Sequence, residues 1–299
     1  MLSVSLPRYL GLDVGEFGIA YCVIEQKGHQ ITLLNRGFLT SNSLQKIKLY
    51  ISKNKIQQLK GTFSITSTQV DRARENAIHD LRNQIHDLVT RYQAKPIYEY
   101  SISNFETGSG KISKIYNSVK TADIIGENEA EHTEKKNTWG NKYYKLGNHI
   151  SSYGTSYTCH HCKKSLYSYE NELSKLSVSP NIGLQKINLS DSVITIYNDG
   201  SGKKLFEKAK NSARPSLDSE IIKQYTPIID VLWRQSRGNS AVFICPFCQT
   251  VSDADIQAAL MIALKQVHRD QTNDKEFDQF IAWLQQMNLP SISFGEKLI

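Results

Sequence analysis

Four cysteines constrain this chain more than any other feature. They stand in two Cys-x-x-Cys pairs, Cys159-His-His-Cys162 and Cys245-Pro-Phe-Cys248, and a fifth, Cys22, lies in an apolar run. Two such knuckles present four thiolates, the set that a tetrahedral structural zinc takes. The stretch between the pairs is much longer than in a compact ribbon, so a shared metal would pin two distant segments into one lobe. With every position filled by thiolate, no place is left for water. Such a zinc staples a fold and does not activate a nucleophile. His160 and His161 are alternate donors, but the regular pair spacing favours the cysteines. An odd count with paired knuckles also argues for reduced, cytoplasmic thiols over a disulfide scaffold.

The N-terminal part reads as sheet. Tyr9 to Ile24, YLGLDVGEFGIAYCVI, is apolar and interrupted by Gly11, Gly15 and Gly18. This predicts a strand, a tight turn after Asp13, and a second strand paired back on the first. Lys27-Gly28 makes another turn, and QITLLNRGFLT (30–40) reads as a third strand. A three-stranded meander of this kind opens an RNase H-like domain, and other mixed sheets begin the same way. From Thr68 the pattern turns helical. Val70, Ala73, Ala77, Ile78, Leu81, Ile85, Leu88 and Val89 recur at three- and four-residue spacings. Thr68 with Asp71 resembles a capping box with Asp in place of Glu. Pro96 cannot continue the helix, and PIYEY returns to strand character. Strand, helix, strand implies a crossover packed on the sheet.

Further along, DSVITIYNDGSGKKLF (191–206) predicts a hairpin with NDGSG as its turn. DIQAALMIALKQV (255–267) predicts a helix, with Asp253 at its start suiting the helix dipole, and a last helix covers 274–286. No internal repeat is present. The acids at 127–134 read as a solvated face, and Trp139, Tyr143 and Tyr144 as anchors or stacking groups.

Charge limits the partners. The chain has 299 residues, 36 Lys+Arg against 29 Asp+Glu, and a net charge of +7, with a pI near 9.0. This excess favours an anionic partner, most simply nucleic acid. Five lysines and no acid lie in 41–60, a solvated or phosphate-facing stretch. Lys203, Lys204, Lys208, Lys210, Arg214 and Arg234 form a second basic stretch suited to a nucleic-acid backbone. No apolar run approaches the length of a membrane span.

Three acids stand where an ordinary surface acid would not. Asp13 sits among apolar residues and glycines, and Glu99 lies within PIYEYS. Asp255 opens the 255–267 helix just after the second knuckle. A carboxylate in a core strand costs desolvation energy unless it is paired or bound to a cation. Three carboxylates converging on one point suit two Mg2+ ions about 4 Å apart at a phosphodiester.

With these residues in place, the chain resembles the RuvC nuclease portion of type V CRISPR effectors, most closely the CasY family. In such proteins the nuclease is split into three sequence blocks. GLDVGEFGIAY resembles the first and assigns its catalytic Asp to Asp13. KPIYEYSISNFETG resembles the second and assigns its Glu to Glu99. CPFCQTVSDADIQAALMIAL resembles the third and assigns its Asp to Asp255 in preference to Asp253. SRGNSAVFICPFC resembles the stretch bearing a catalytic-site arginine, which falls on Arg237. The cysteine pairs match the zinc-ribbon-like nucleic-acid-loading region. The resemblance runs from about Arg8 to Ala263. One departure is Gln257, at a position where many relatives have Asn.

The resemblance implies an α/β, RNase H-like (RuvC) mixed sheet with helices and an inserted zinc-ribbon-like lobe. The expected organisation is nuclease blocks one and two over 1–150, the zinc lobe over 151–250, and the third block with the C-terminal helix over 251–299. It implies a Mg2+- or Mn2+-dependent endodeoxyribonuclease with structural Zn2+, acting on target and non-target DNA strands. Guide RNA would be held by an N-terminal lobe that this sequence does not contain. A monomer in a prokaryotic cytoplasm, serving antiviral defence, completes the expectation. The alternatives are a transposon-encoded RNA-guided nuclease, a junction-resolving or RNase H-like enzyme, and a nucleic-acid-binding zinc module inactive without the N-terminal lobe.

Overall fold

The computed structural model describes residues 6–15, 18–43, 46, 67–100, 148–151, 153–173, 175–178, 183–198, 226–227 and 242–292. In chain order the elements are β1 (Arg8–Gly15), β2 (Gly18–Lys27), β3 (Gln30–Leu39), α1 (Ser67–Tyr92), β4 (Lys95–Tyr100) and β5 (Asn148–Ser151). There follow α2 (Glu170–Leu173), β6 (Ser177–Val178), β7 (Gly183–Asn188), β8 (Val193–Asn198) and β9 (Thr226–Pro227). β10 (Val242–Ile244), β11 (Val251–Asp253), α3 (Ala254–Thr272) and α4 (Phe277–Gln286) complete the described chain. Among the described residues, no helix is long and apolar enough to cross a membrane. The chain divides into two compact units, Met1–Ser152 with Ala258–Asn273, and Tyr153–Gln257 with Asp274–Ile299.

The first unit is built on a five-stranded sheet of order β3-β2-β1-β4-β5. β1, β2 and β3 form the predicted antiparallel meander. β4 then joins β1 in parallel, and β5 joins β4 in parallel. A parallel neighbour needs a crossover, and α1 lies in the connection from β3 to β4. This is the mixed α/β sheet with a helical crossover expected from the sequence. The apolar stripe of α1 is buried as predicted. Ile78, Leu81, Ile85 and Leu88 pack with Leu10, Leu12, Ile19, Val23, Leu39 and Tyr98 in one cluster. Each such side chain contributes roughly 1.5–3 kcal/mol on burial. The helix begins at Ser67, one residue before the Thr68 predicted as its cap. Pro96 lies inside β4, opposite Leu10 of β1.

α3 is apolar on every side from Ala258 to Leu264, and all of these residues are fully buried, as an all-round hydrophobic helix must be. Gly11 of β1 permits its approach to the sheet. A Cβ at Gly11 would collide with the Ala259 carbonyl and lie 2.9 Å from the Ala263 nitrogen. Polar contacts lock the other end of the helix. Asp270 accepts from Lys95 Nζ at 2.9 Å and from Gln266 Nε2 at 2.6 Å, and Lys265 Nζ donates to the Ser151 carbonyl at 2.7 Å. Tyr9 is buried, and desolvation, with Asp270 beside its hydroxyl, pushes its pKa up to about 12. Tyr9 thus meets Asp270 while Gly11 meets Ala259 and Ala263, so within this unit the helix runs antiparallel to β1.

In the second unit, β7 and β8 form a hairpin with Gly183 opposite Asn198 and Asn188 opposite Val193. β7 is a partner for this stretch that the sequence reading does not name. Val193–Asn198 pairs with the segment before it, through a turn closed by Leu189 N donating to the Ser192 carbonyl at 2.7 Å. The NDGSG residues after Asn198 lie outside the described chain. β10 and β11 form an antiparallel ribbon with Phe243 opposite Ser252. The C-terminal helix α4 starts at Phe277, three residues later than expected.

Candidate functional site

The two cysteine knuckles have the same backbone. In the first, Cys159 N donates to the Lys164 carbonyl and Lys163 N to the Cys159 carbonyl, both at 2.9 Å. In the second, Cys245 N donates to the Thr250 carbonyl at 3.0 Å and Gln249 N to the Cys245 carbonyl at 2.9 Å. The residue following each second cysteine takes a left-handed conformation, Lys163 at φ 60° and Gln249 at φ 58°. The CPFC knuckle forms the tip of the β10–β11 ribbon.

The four sulfurs meet. Cys159 Sγ lies 3.7 Å from Cys248 Sγ, and Cys162 Sγ lies 3.6 Å from Cys245 Sγ. All four lie within 4.8 Å of one another. Zn–S bonds of about 2.3 Å in a tetrahedron place sulfurs about 3.8 Å apart. The donor set and the spacing both fit a closed tetrathiolate centre, so the cluster is able to hold a metal ion. Interaction with Cys162 pushes the Cys159 thiol up, and the complementary bond from Cys159 holds Cys162 low. Cys159 and Cys245 are fully buried and pack with Phe243 and Ala254.

His160, beside Cys159, is buried. Its Nδ1 lies 3.0 Å from Gln257 Oε1, and the donor atoms that meet are the four cysteine sulfurs, without this alternate donor. Sequence reasoning misses both this histidine and Gln257 as polar core. The signal was present in retrospect, because a Gln inside DIQAALMIAL breaks an otherwise apolar helix.

The predicted acids fall as follows. Asp13 lies near the end of β1 and is 8% exposed. Leu12 of β1 is in register with Tyr98 of β4, so Asp13 and Glu99 are the next positions on neighbouring parallel strands. Glu99 itself is also in register with Ile150 of β5. Asp255 belongs to the second unit, in the first turn of α3. Its neighbour Asp253 caps that helix, with Oδ1 accepting from Asp255 N at 3.0 Å and from Ile256 N at 2.9 Å. These are the bonds expected of an N-cap carboxylate. Arg237 and the predicted backbone contacts Lys203, Lys204, Lys208, Lys210, Arg214 and Arg234 lie outside the described residues, as do Trp139, Tyr143 and Tyr144.

No known family profile matches the chain, and no curated protein matches it. Among solved structures, it is similar to the yeast mitochondrial Holliday junction resolvase Ydc2. That match has 12% identity and a TM-score of 0.30, over 94% of this chain and 82% of the other.

Proposed function

We propose that this chain is a metal-dependent DNA endonuclease domain of the kind carried by RNA-guided effectors, with a zinc-stapled lobe. One observation carries the reading. Two acids, Asp13 and Glu99, follow directly on the Leu12–Tyr98 register pair near the ends of the parallel strands β1 and β4. The capping of α3 by Asp253 supports Asp255 as the third acid, because Asp253 is already committed to backbone amides.

In this reading Asp13, Glu99 and Asp255 supply hard oxygen donors, which suit Mg2+ or Mn2+. Cations bound there supply Lewis-acid activation of water and stabilise the leaving oxygen. The carboxylates orient that charge, and no side chain has to act as the nucleophile. Arg237 contacts the scissile phosphate, and the basic residues at 203–234 hold the strand's backbone. Cys159, Cys162, Cys245 and Cys248 hold zinc, which contributes folding energy only. Sequence choice comes from a guide RNA on another lobe and not from these residues.

The test is cleavage of end-labelled single-stranded DNA with Mg2+ or Mn2+, comparing the chain with its Asp255→Ala and Asp253→Ala forms. Cutting that is lost in the first and kept in the second supports the reading. Equal cutting by all three refutes the carboxylate assignment. If none of them cuts, supplying the N-terminal lobe and guide in trans decides whether the domain is a nuclease.

A further inference from the structure

The first turn of α3 carries a second polar side chain with a different surrounding. Gln257, two residues after Asp255, is 1% exposed. Its Nε2 donates to the Thr158 carbonyl at 2.8 Å. Its Oε1 accepts from the Ser252 hydroxyl at 2.8 Å and faces His160 Nδ1 at 3.0 Å. A backbone carbonyl only accepts, so the amide nitrogen has to face Thr158 and the oxygen the other two groups. That orientation puts the proton of His160 on Nδ1. The Thr158 hydroxyl extends the chain of bonds by donating to the Gly154 carbonyl at 2.6 Å.

These partners come from both knuckle segments. Thr158 and His160 flank Cys159. Ser252 lies in β11, between the Cys245–Cys248 knuckle and the Asp253 cap. One amide therefore ties the cysteine cluster to the helix turn that bears Asp255. Holding a metal does not call for it, since the four thiolates already close the centre. A buried amide costs about 1–3 kcal/mol wherever its bonds go unmade, so an apolar side chain would be the simpler filler. Successive helix positions turn by about 100°, which sets residues 255 and 257 on nearly opposite sides. The Asp253 cap fixes where the helix begins. Anchoring Gln257 on one side then fixes the direction in which Asp255 leaves the other.

We propose that Gln257 is a positioning residue that orients the Asp255 carboxylate for a divalent cation by tying the first turn of α3 to the cysteine cluster. This rests on the reading of Asp255 as a cation ligand. Groups that orient a metal ligand in this way typically alter metal affinity 10- to 100-fold when removed, by about the same factor as expected here.

The experiment measures Mn2+ binding to the full chain by calorimetry, with the cysteine cluster loaded with Co2+ so that its thiolate charge-transfer band reports an intact centre. Gln257→Met keeps the shape and removes the bonds, Ser252→Ala removes one bond, and Asp255→Ala is the reference. The expected result is an unchanged cobalt band with Mn2+ affinity lowered about 10- to 100-fold in Gln257→Met, and lowered less in Ser252→Ala. Wild-type Mn2+ affinity in Gln257→Met, while Asp255→Ala loses binding, overturns this inference alone. Wild-type affinity in Asp255→Ala overturns the ligand assignment and this inference with it. If Gln257→Met loses the cobalt band, Ser252→Ala decides: weaker Mn2+ binding under an intact band sustains the role, and unchanged binding ends it.

Discussion

Gly11→Ala tests how the sheet and α3 are held together. The new Cβ would meet the Ala259 carbonyl first, then the Ala263 nitrogen at 2.9 Å and the Ala263 Cβ at 3.0 Å. Two of these three atoms are backbone, so no rotamer change relieves the clash and the helix itself has to shift. Overpacking costs typically 1–3 kcal/mol, and immovable neighbours place this case near the upper end. Replacing Gly also lowers unfolded-chain entropy, which returns about 0.4–1 kcal/mol. The net loss is about 2 kcal/mol or slightly more. At about 2–4 °C per kcal/mol for a domain of this size, the melting transition falls by about 5–10 °C. Gly37→Ala is the matched control. Its Cβ would meet only the Tyr21 ring, at 3.1 Å, and a side chain that can swing aside limits the loss to about 1 kcal/mol. Scanning calorimetry, with hydrogen exchange on the β1 amides, reads both variants. Equal, small shifts in the two would refute the claim that Gly11 is required for the backbone contact with α3.

Three further outcomes follow from the same geometry. Cys245→Ser, or removal of metal with a strong chelator, should unfold the second unit, because metal binding at such centres is folding energy; an unchanged transition on chelation would contradict a structural metal. Asp253→Ala should cost about 0.5–2 kcal/mol through loss of the helix cap while sparing cleavage, whereas Asp13→Ala should lower cleavage at least about a hundredfold with little change in stability. Tyr9 should ionise late, at about 12 against 10.0 for a free tyrosine. Its contribution to stability is complete below pH 10 and is lost as pH rises towards 12, so a tyrosinate absorbance titration of wild type against Tyr9→Phe should lose one late-ionising group.

What the sequence disclosed was what short-range chemistry governs. The meander was legible because glycines break an apolar run twice within a few residues. α1 was legible because its apolar positions keep a helical period from Ala73 to Leu88, and all of those packed against the sheet are buried. The cysteine centre was legible despite the distance between its halves, because Cys-x-x-Cys spacing is itself local. The partner of β8 was not. The LSDS turn before Val193 is a weak signal, yet it closes and pairs β8 with β7. Pairing depends on which strand offers a buried face, and turn residues alone do not carry that information.

The same limit explains why the two acids at the start of α3 look equivalent in sequence and differ in the fold. Asp253 and Asp255 are separated by one residue, and either suits the positive end of a helix. The distinction comes from where the helix begins. β11 ends at Asp253 because its pairing with Val242 ends there, so Asp253 becomes the cap and its carboxylate is committed to two amides. Moving the start by two residues would exchange the roles. The first turn is also tied through Gln257, whose bond to His160 joins residues 97 positions apart, a separation at which neither periodicity nor motif spacing carries a signal. The proposed assignment of Asp255 as a metal-binding acid thus depends on a ribbon's register and on a long-range polar contact, and Asp253→Ala against Asp255→Ala tests it, because one variant removes a cap and the other the proposed ligand.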